Sequence, residues 1–220
     1  MSNLLHDLVA FLTGETADYT ALGAARYVVI LAFYALVVCS VLLLAINLRQ
    51  ERAQRSGALL WLWIVRVLVG CMWFQALLGT LPFGTGNSLY AWTQQAGGRA
   101  AFPRVGQFIN DTLLTHFTVF DPVVFLVEFV LAAALILGLF VRLAGLCTFL
   151  AGALLFLGVY GQRPGDPAVW PWGFVFLALL GGSLAVSGAG RALGADAWIR
   201  RNVASVRDRR AAGWPLRLLT

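Results

Sequence analysis

Five stretches of this chain stay apolar for about the twenty residues that a bilayer's hydrocarbon core requires. They lie near 25–48, 59–82, 121–141, 143–161 and 168–189. Runs this long leave no polar face to meet water, so the solvent they imply is lipid. Composition agrees, with 60% apolar residues, 12% charged residues and a mean hydropathy of +0.81, beyond the range of soluble domains. The expected fold class is an all-α integral membrane protein with five transmembrane helices. Only the residues around Val141, Arg142 and Leu143 separate the third span from the fourth, which predicts a tight antiparallel pair.

Orientation follows from arginine, because all 16 basic residues are arginines. Arg49, Arg52 and Arg55 lie between spans one and two, Arg142 between three and four, and Arg191, Arg200, Arg201, Arg207, Arg209, Arg210 and Arg217 after the fifth. The opposite side holds only Arg26, Arg99, Arg104 and Arg163, among Asp7, Glu15, Asp18, Asp111, Asp121 and Asp166. The expected location is a bacterial cytoplasmic (inner) membrane, which the chain crosses several times, and the positive-inside rule then predicts the N-terminus outside and the C-terminus in the cytoplasm. Trp61, Trp63, Trp92, Trp170, Trp172 and Trp198 stand at or near span ends, as an interfacial belt would.

Residues 1–23 carry acids without a basic leader, so a cleavable signal is not expected. Leu4, Leu5, Leu8, Phe11 and Leu12 recur at helical spacing and stop at Gly14, which predicts an amphipathic helix lying on the outer surface. The external stretch 83–120 predicts a cap of two short helices, over 88–95 and 104–118.

The net charge of +6 sits beside apolar segments, where it sets topology rather than binding nucleic acid. Cys39, Cys71 and Cys147 lie singly inside apolar runs and read as packing residues, while His6 and His116 both lie outside the spans. This inventory leaves no metal site, no iron–sulfur ligands and no bis-histidine haem within the bundle. No cofactor is expected to bind this chain alone.

Two ionisable residues fall inside spans, which makes them candidates for function because a charge in hydrocarbon is costly. Arg66 and Glu128 each lie about seven residues into a span from opposite faces, so their levels should differ by roughly 5–10 Å. The expectation is an ion pair across the bundle, serving either as a structural lock or as contacts for a quinone head group. Gln75, Trp73 and Ser183 add polar groups on predicted spans. His116, near Asp111 and Asp121 in the external segment, is the candidate for proton exchange at the outer surface.

Three elements recur in a recognisable order. An arginine opens a glycine-containing run at Arg66-Val-Leu-Val-Gly70; a glutamate leads to Leu-Gly and an arginine, from Glu128 through Leu137-Gly138 to Arg142; and Gly190-Arg191-Ala-Leu-Gly194-Ala-Asp196-Ala-Trp198 closes the series. This order resembles the DoxX/DoxD family, which includes the membrane subunit of thiosulfate:quinone oxidoreductase, over roughly the last two-thirds of the chain. The resemblance implies a four-helix core made by spans two to five, with the first span as an addition. The chain then divides into an external segment 1–23, an extra span and cytoplasmic loop 24–58, the core 59–190 with its cap 83–120, and a basic tail 191–220. It further implies a quinone-facing or anchoring subunit of a respiratory oxidoreductase complex, with at least one more protein subunit as partner. The alternative is a non-catalytic membrane anchor or assembly subunit.

Overall fold

The computed structural model describes residues 4–161 and 172–202, and these are helices joined by turns, with no strand among them. The chain opens with α1 (Leu4–Thr13) and α2 (Ala17–Ala21), then α3 (Arg26–Gln50) and α4 (Gly57–Ala76), the last continued by a tight turn at Leu77–Thr80. Two short helices follow, α5 (Ser88–Arg99) and α6 (Pro103–Phe108), and a wide π-type turn at Ile109–Leu114 leads into α7 (Phe117–Leu137). The chain then runs through α8 (Val141–Val159), α9 (Trp172–Ser187) and α10 (Ala195–Asn202).

Among the described residues, four segments are long and apolar enough to cross a membrane: Gly23–Gln50, Gly57–Thr80, Phe117–Leu137 and Val141–Val159. The fifth apolar helix, α9, has 16 described residues, which at about 1.5 Å per residue span less than a full hydrocarbon core. The expected start of that span, at 168–171, lies outside the described residues, as do Trp170, Arg163, Asp166 and the tail arginines from Arg207 onward.

The tight pairing expected between the third and fourth spans is not the closest one. A turn at 138–140 does join α7 to α8, but the most intimate packing is of α8 on α9 and of α4 on α7. The reason is where the glycines fall. A Cβ at Gly145 would stand 2.7 Å from the Gly181 carbonyl oxygen, and one at Gly181 would stand 2.7 Å from the Phe149 nitrogen. In lipid, where apolar surface gains little from leaving solvent, small residues that let backbones touch decide which helices pair. Gly70 does the same for α4, lying against Ile136 and Ala132 of α7. The added helix α3 packs on α7, with the Ser40 hydroxyl donating to the Ile136 carbonyl at 2.6 Å and the Trp63 indole donating to Ser40 at 3.3 Å.

At the N-terminus the helix stops where expected, with Gly14 at φ 73° following Thr13. Phe11 stacks obliquely on Tyr19 and edge-on to Phe33, so α1 is held against the start of α3 by aromatic contacts; the side chains of Leu4, Leu5 and Leu8 lie outside the described set. In the cap, α5 begins where Asn87 accepts the Tyr90 N–H at 2.9 Å, and α6 begins at Pro103, whose missing N–H is no loss at a helix start. The second cap helix is shorter than 104–118 predicts, because the π-type turn intervenes before α7. The cap is tied to the bundle by Ala101 N–H to the Leu157 carbonyl at 2.8 Å and by Trp92 against Phe174.

Candidate functional site

The connectivity gathers one set of termini at one end of the bundle: the C-termini of α3, α7 and α9, the N-termini of α4 and α8, and α10. This is the arginine-rich end, and buried polar side chains tie it together.

Arg66 is fully buried there. Its Nη1 donates to the Ala189 carbonyl at 3.4 Å, and its guanidinium fills the space over Gly138 and Gly194, where a Cβ at either glycine would collide with it. Its Nε and Nη2 have no hydrogen-bond partner among the described residues. The charge that acts on it is that of Asp196.

Asp196 in turn clamps the turn between α7 and α8. Its Oδ1 accepts the Phe140 N–H at 2.9 Å and its Oδ2 accepts the Val141 N–H at 3.3 Å, while its own N–H donates to the Gly138 carbonyl at 2.9 Å. A carboxylate at the N-terminus of α8 is well placed against the helix dipole. Burial pushes the Asp196 carboxyl above its ordinary range, and the two N–H groups together with the Arg66 and Arg191 charges oppose that shift.

Among the described residues, Phe140 and Leu193 are the non-glycine residues at positive φ, 50° and 56°. Each has its N–H held by a side chain from a distant part of the chain: Asp196 holds Phe140, and Gln54 Oε1 accepts from Leu193 at 3.1 Å. The strained conformations persist because these acceptors fix them. Gln54 also donates to the Arg191 carbonyl at 3.1 Å. Asn47, fully buried near the end of α3, donates to the Leu43 and Gly194 carbonyls and accepts from Arg201, which also pairs with Glu51 at 3.6 Å.

The predicted ion pair between Arg66 and Glu128 does not form. Gly70 against Ile136 and Ala132 sets the register of α4 on α7, and in that register Arg66 lies level with Gly138. Glu128 is ten residues away along α7, or about 15 Å at helical rise. The charge that acts on Glu128 is that of Asp121, two turns up its own helix, and its Oε2 is buried with no hydrogen-bond partner among the described residues.

Asp121 is fully buried at the cap end, where its Oδ2 accepts the Gly84 N–H at 2.8 Å and the Asn87 side-chain amide at 2.9 Å. Trp73 is buried too, its indole donating to Thr148 at 3.0 Å and so joining α4 to α8. Gln75 is exposed, and Ser183 is exposed and donates to Leu179 in its own helix. His116 is exposed at the start of α7. The structure therefore disperses the predicted set: Arg66 joins the tied end, Glu128 and Asp121 line α7, and Gln75, Ser183 and His116 face outward.

Sequence reasoning passed over Asn47, Gln54, Asn87 and Asp121 as partners. A polar residue within an apolar run was a usable signal for Asn47; Gln54 and Asn87 lie in loops, where polarity carries no such information. Fold and site together define a multi-pass helical membrane protein whose arginine-rich end is closed by a buried polar network. Comparisons with models of known families, with curated proteins and with solved structures returned no match.

Proposed function

We propose that this chain crosses a bacterial inner membrane five times, N-terminus outside and C-terminus in the cytoplasm, as the quinone-facing or anchoring subunit of a respiratory oxidoreductase complex of the DoxX/DoxD type. What carries the reading is that its three sequence elements meet in space. Arg66 from the first, Gly138 from the second and Gly194 with Asp196 from the third form one cluster, which supports treating them as one structural motif rather than three chance likenesses. The role within it differs from the simplest expectation, because Arg66 is enclosed and serves as packing.

Glu128 is then the candidate contact for a quinone and its proton, as an acid in a span with a buried oxygen to spare. The electrons come from a partner subunit or from the substrate, since this chain brings no haem or iron–sulfur ligand set of its own. The complete enclosure of Arg66 also favours the second reading, a non-catalytic anchor whose polar residues hold the bundle in shape for a partner.

The experiment is to purify the chain alone and with its native neighbours, record visible spectra, and assay quinone reduction with thiosulfate and other donors. The expected outcome is a lone chain without chromophore or turnover and a native preparation with a further subunit that turns over. Retained turnover in the Glu128→Gln complex would move the assignment to the anchor reading.

A further inference from the structure

The cap does not stand clear of the helix ends; it lies beside them. Gly158, in the last turn of α8, faces α5, with the Trp92 ring and Ala96 each 3.8 Å from where its Cβ would be. The Leu157 carbonyl accepts the Ala101 N–H at 2.8 Å, and the Arg99 carbonyl accepts the Gly161 N–H at 2.8 Å. On the other flank, Asp121 takes the Gly84 N–H one turn into α7, and Phe83 lies edge-on to Phe125 with 5.4 Å between ring centroids. Phe125 is eight residues past the start of α7, about 12 Å along the span. Residues 83–102 are therefore level with the ends of the spans they pack on, not above them.

The exposed residues of the cap divide by side. Ser88, Ala91, Gln95 and Gly98 form one stripe of α5 at helical spacing, polar or small, opposite the buried Thr93 and Ala96. Phe83 and Phe102, on the flanks, are 53% and 58% exposed. The surface beside them is already apolar. Val123 and Leu126 are exposed on α7 near Phe125, and Tyr160 and Trp172, both ring-packed on Phe156, are exposed at the ends of α8 and α9 as an interfacial girdle is. The lipid-suited surface of the spans thus continues onto the flanks of the cap.

We propose that the cap is seated in the membrane interface, with Phe83 and Phe102 among lipid acyl chains just below the headgroups and the outward stripe of α5 in water. An amphipathic element holds such an interface by burying its apolar side about 5–10 Å into it, and the backbone bonds to Leu157 and Asp121 set the two rings at that depth. The proposal rests on the chain being a membrane protein and is independent of any redox role.

The test uses the unaltered chain in phosphatidylcholine liposomes with two carbene photoprobes, a diazirine carried on the lipid acyl chain and a water-soluble diazirine, and adducts are assigned to residues by tandem mass spectrometry. Leu126 on α7 and Leu154 on α8, both exposed on spans, mark the membrane, and Gln95 marks water. The expected result is lipid-probe labelling of Phe83 and Phe102 about tenfold above that of Gln95, with the water-soluble probe giving the reverse order. Lipid-probe labelling of Leu126 and Leu154, with Phe83 and Phe102 reached only from water, would overturn the proposal and leave the membrane reading intact. Protection of both rings from both probes would overturn it too, since a second copy or another protein would then cover them. Loss of lipid-probe labelling at Leu126 and Leu154 as well would remove the spans, and the proposal with them.

Discussion

Arg66 shows how a buried charge is kept inside a membrane-type bundle: two glycines make room for it, and an aspartate supplies the counter-charge without a direct ion pair. Gly138→Ala places a methyl group on the guanidinium and a side chain at φ 75°; it should destabilise the protein by roughly 1–3 kcal/mol, read as a lower melting temperature in detergent. Asp196→Ala removes two acceptors from the α8 N-terminus and the charge facing Arg66, and should cost about 3–5 kcal/mol in the same assay. Asp196 also predicts a pH dependence. Its carboxyl is raised by burial, so its contribution is fully present below the ordinary carboxylate range and is lost as pH rises through the raised value. Asp196→Asn should flatten that part of the stability profile, and an unchanged profile would remove Asp196 as its source. Glu128→Gln breaks no ion pair, and its melting temperature should stay close to that of the unaltered chain.

At the scale of elements, glycine placement rather than loop length chose the partners. The turn at 138–140 is short, which suggests α7 beside α8, but the backbone contact at Gly145 and Gly181 binds α8 to α9 instead. Gly181→Ala sets a Cβ 2.7 Å from a backbone nitrogen of α8, which cannot yield as a side-chain tip can; a loss of roughly 1–3 kcal/mol is expected. Gly173, in the same helix, has nothing within 4 Å of its Cβ position among the described residues, so Gly173→Ala should be neutral or stabilising by about 0.5–1 kcal/mol. Equal effects from the two alanines would show that helix propensity, not close packing, governs α9.

For the whole molecule, the described arginines Arg49, Arg52, Arg55, Arg142, Arg191, Arg200 and Arg201 gather at one end, and Arg26, Arg99, Arg104 and Asp121 lie at the other. Under the positive-inside rule, a tag at residue 1 should be reached from outside and one at residue 220 from the cytoplasm. Accessibility of both tags from one side would mean that α9 or the added α3 does not cross.

The long apolar helices, the Gly14 stop and the two cap helices were legible from composition and period, because each depends on residues close together in the chain. Arg66 and Glu128 were legible as unusual, since any ionisable group in a span is. Their pairing was not, because it depends on the register of α4 against α7, set by the fit of Gly70 on Ile136 and invisible to span counting. The closing network was equally hidden: Asn47, Gln54, Arg66, Asp196 and the strained Phe140 and Leu193 are scattered from one end of the chain to the other. Hydropathy and period determined which segments are helices suited to lipid. Only tertiary contact decided which helices touch and which buried polar groups meet, because both depend on distances between residues that the chain order leaves free.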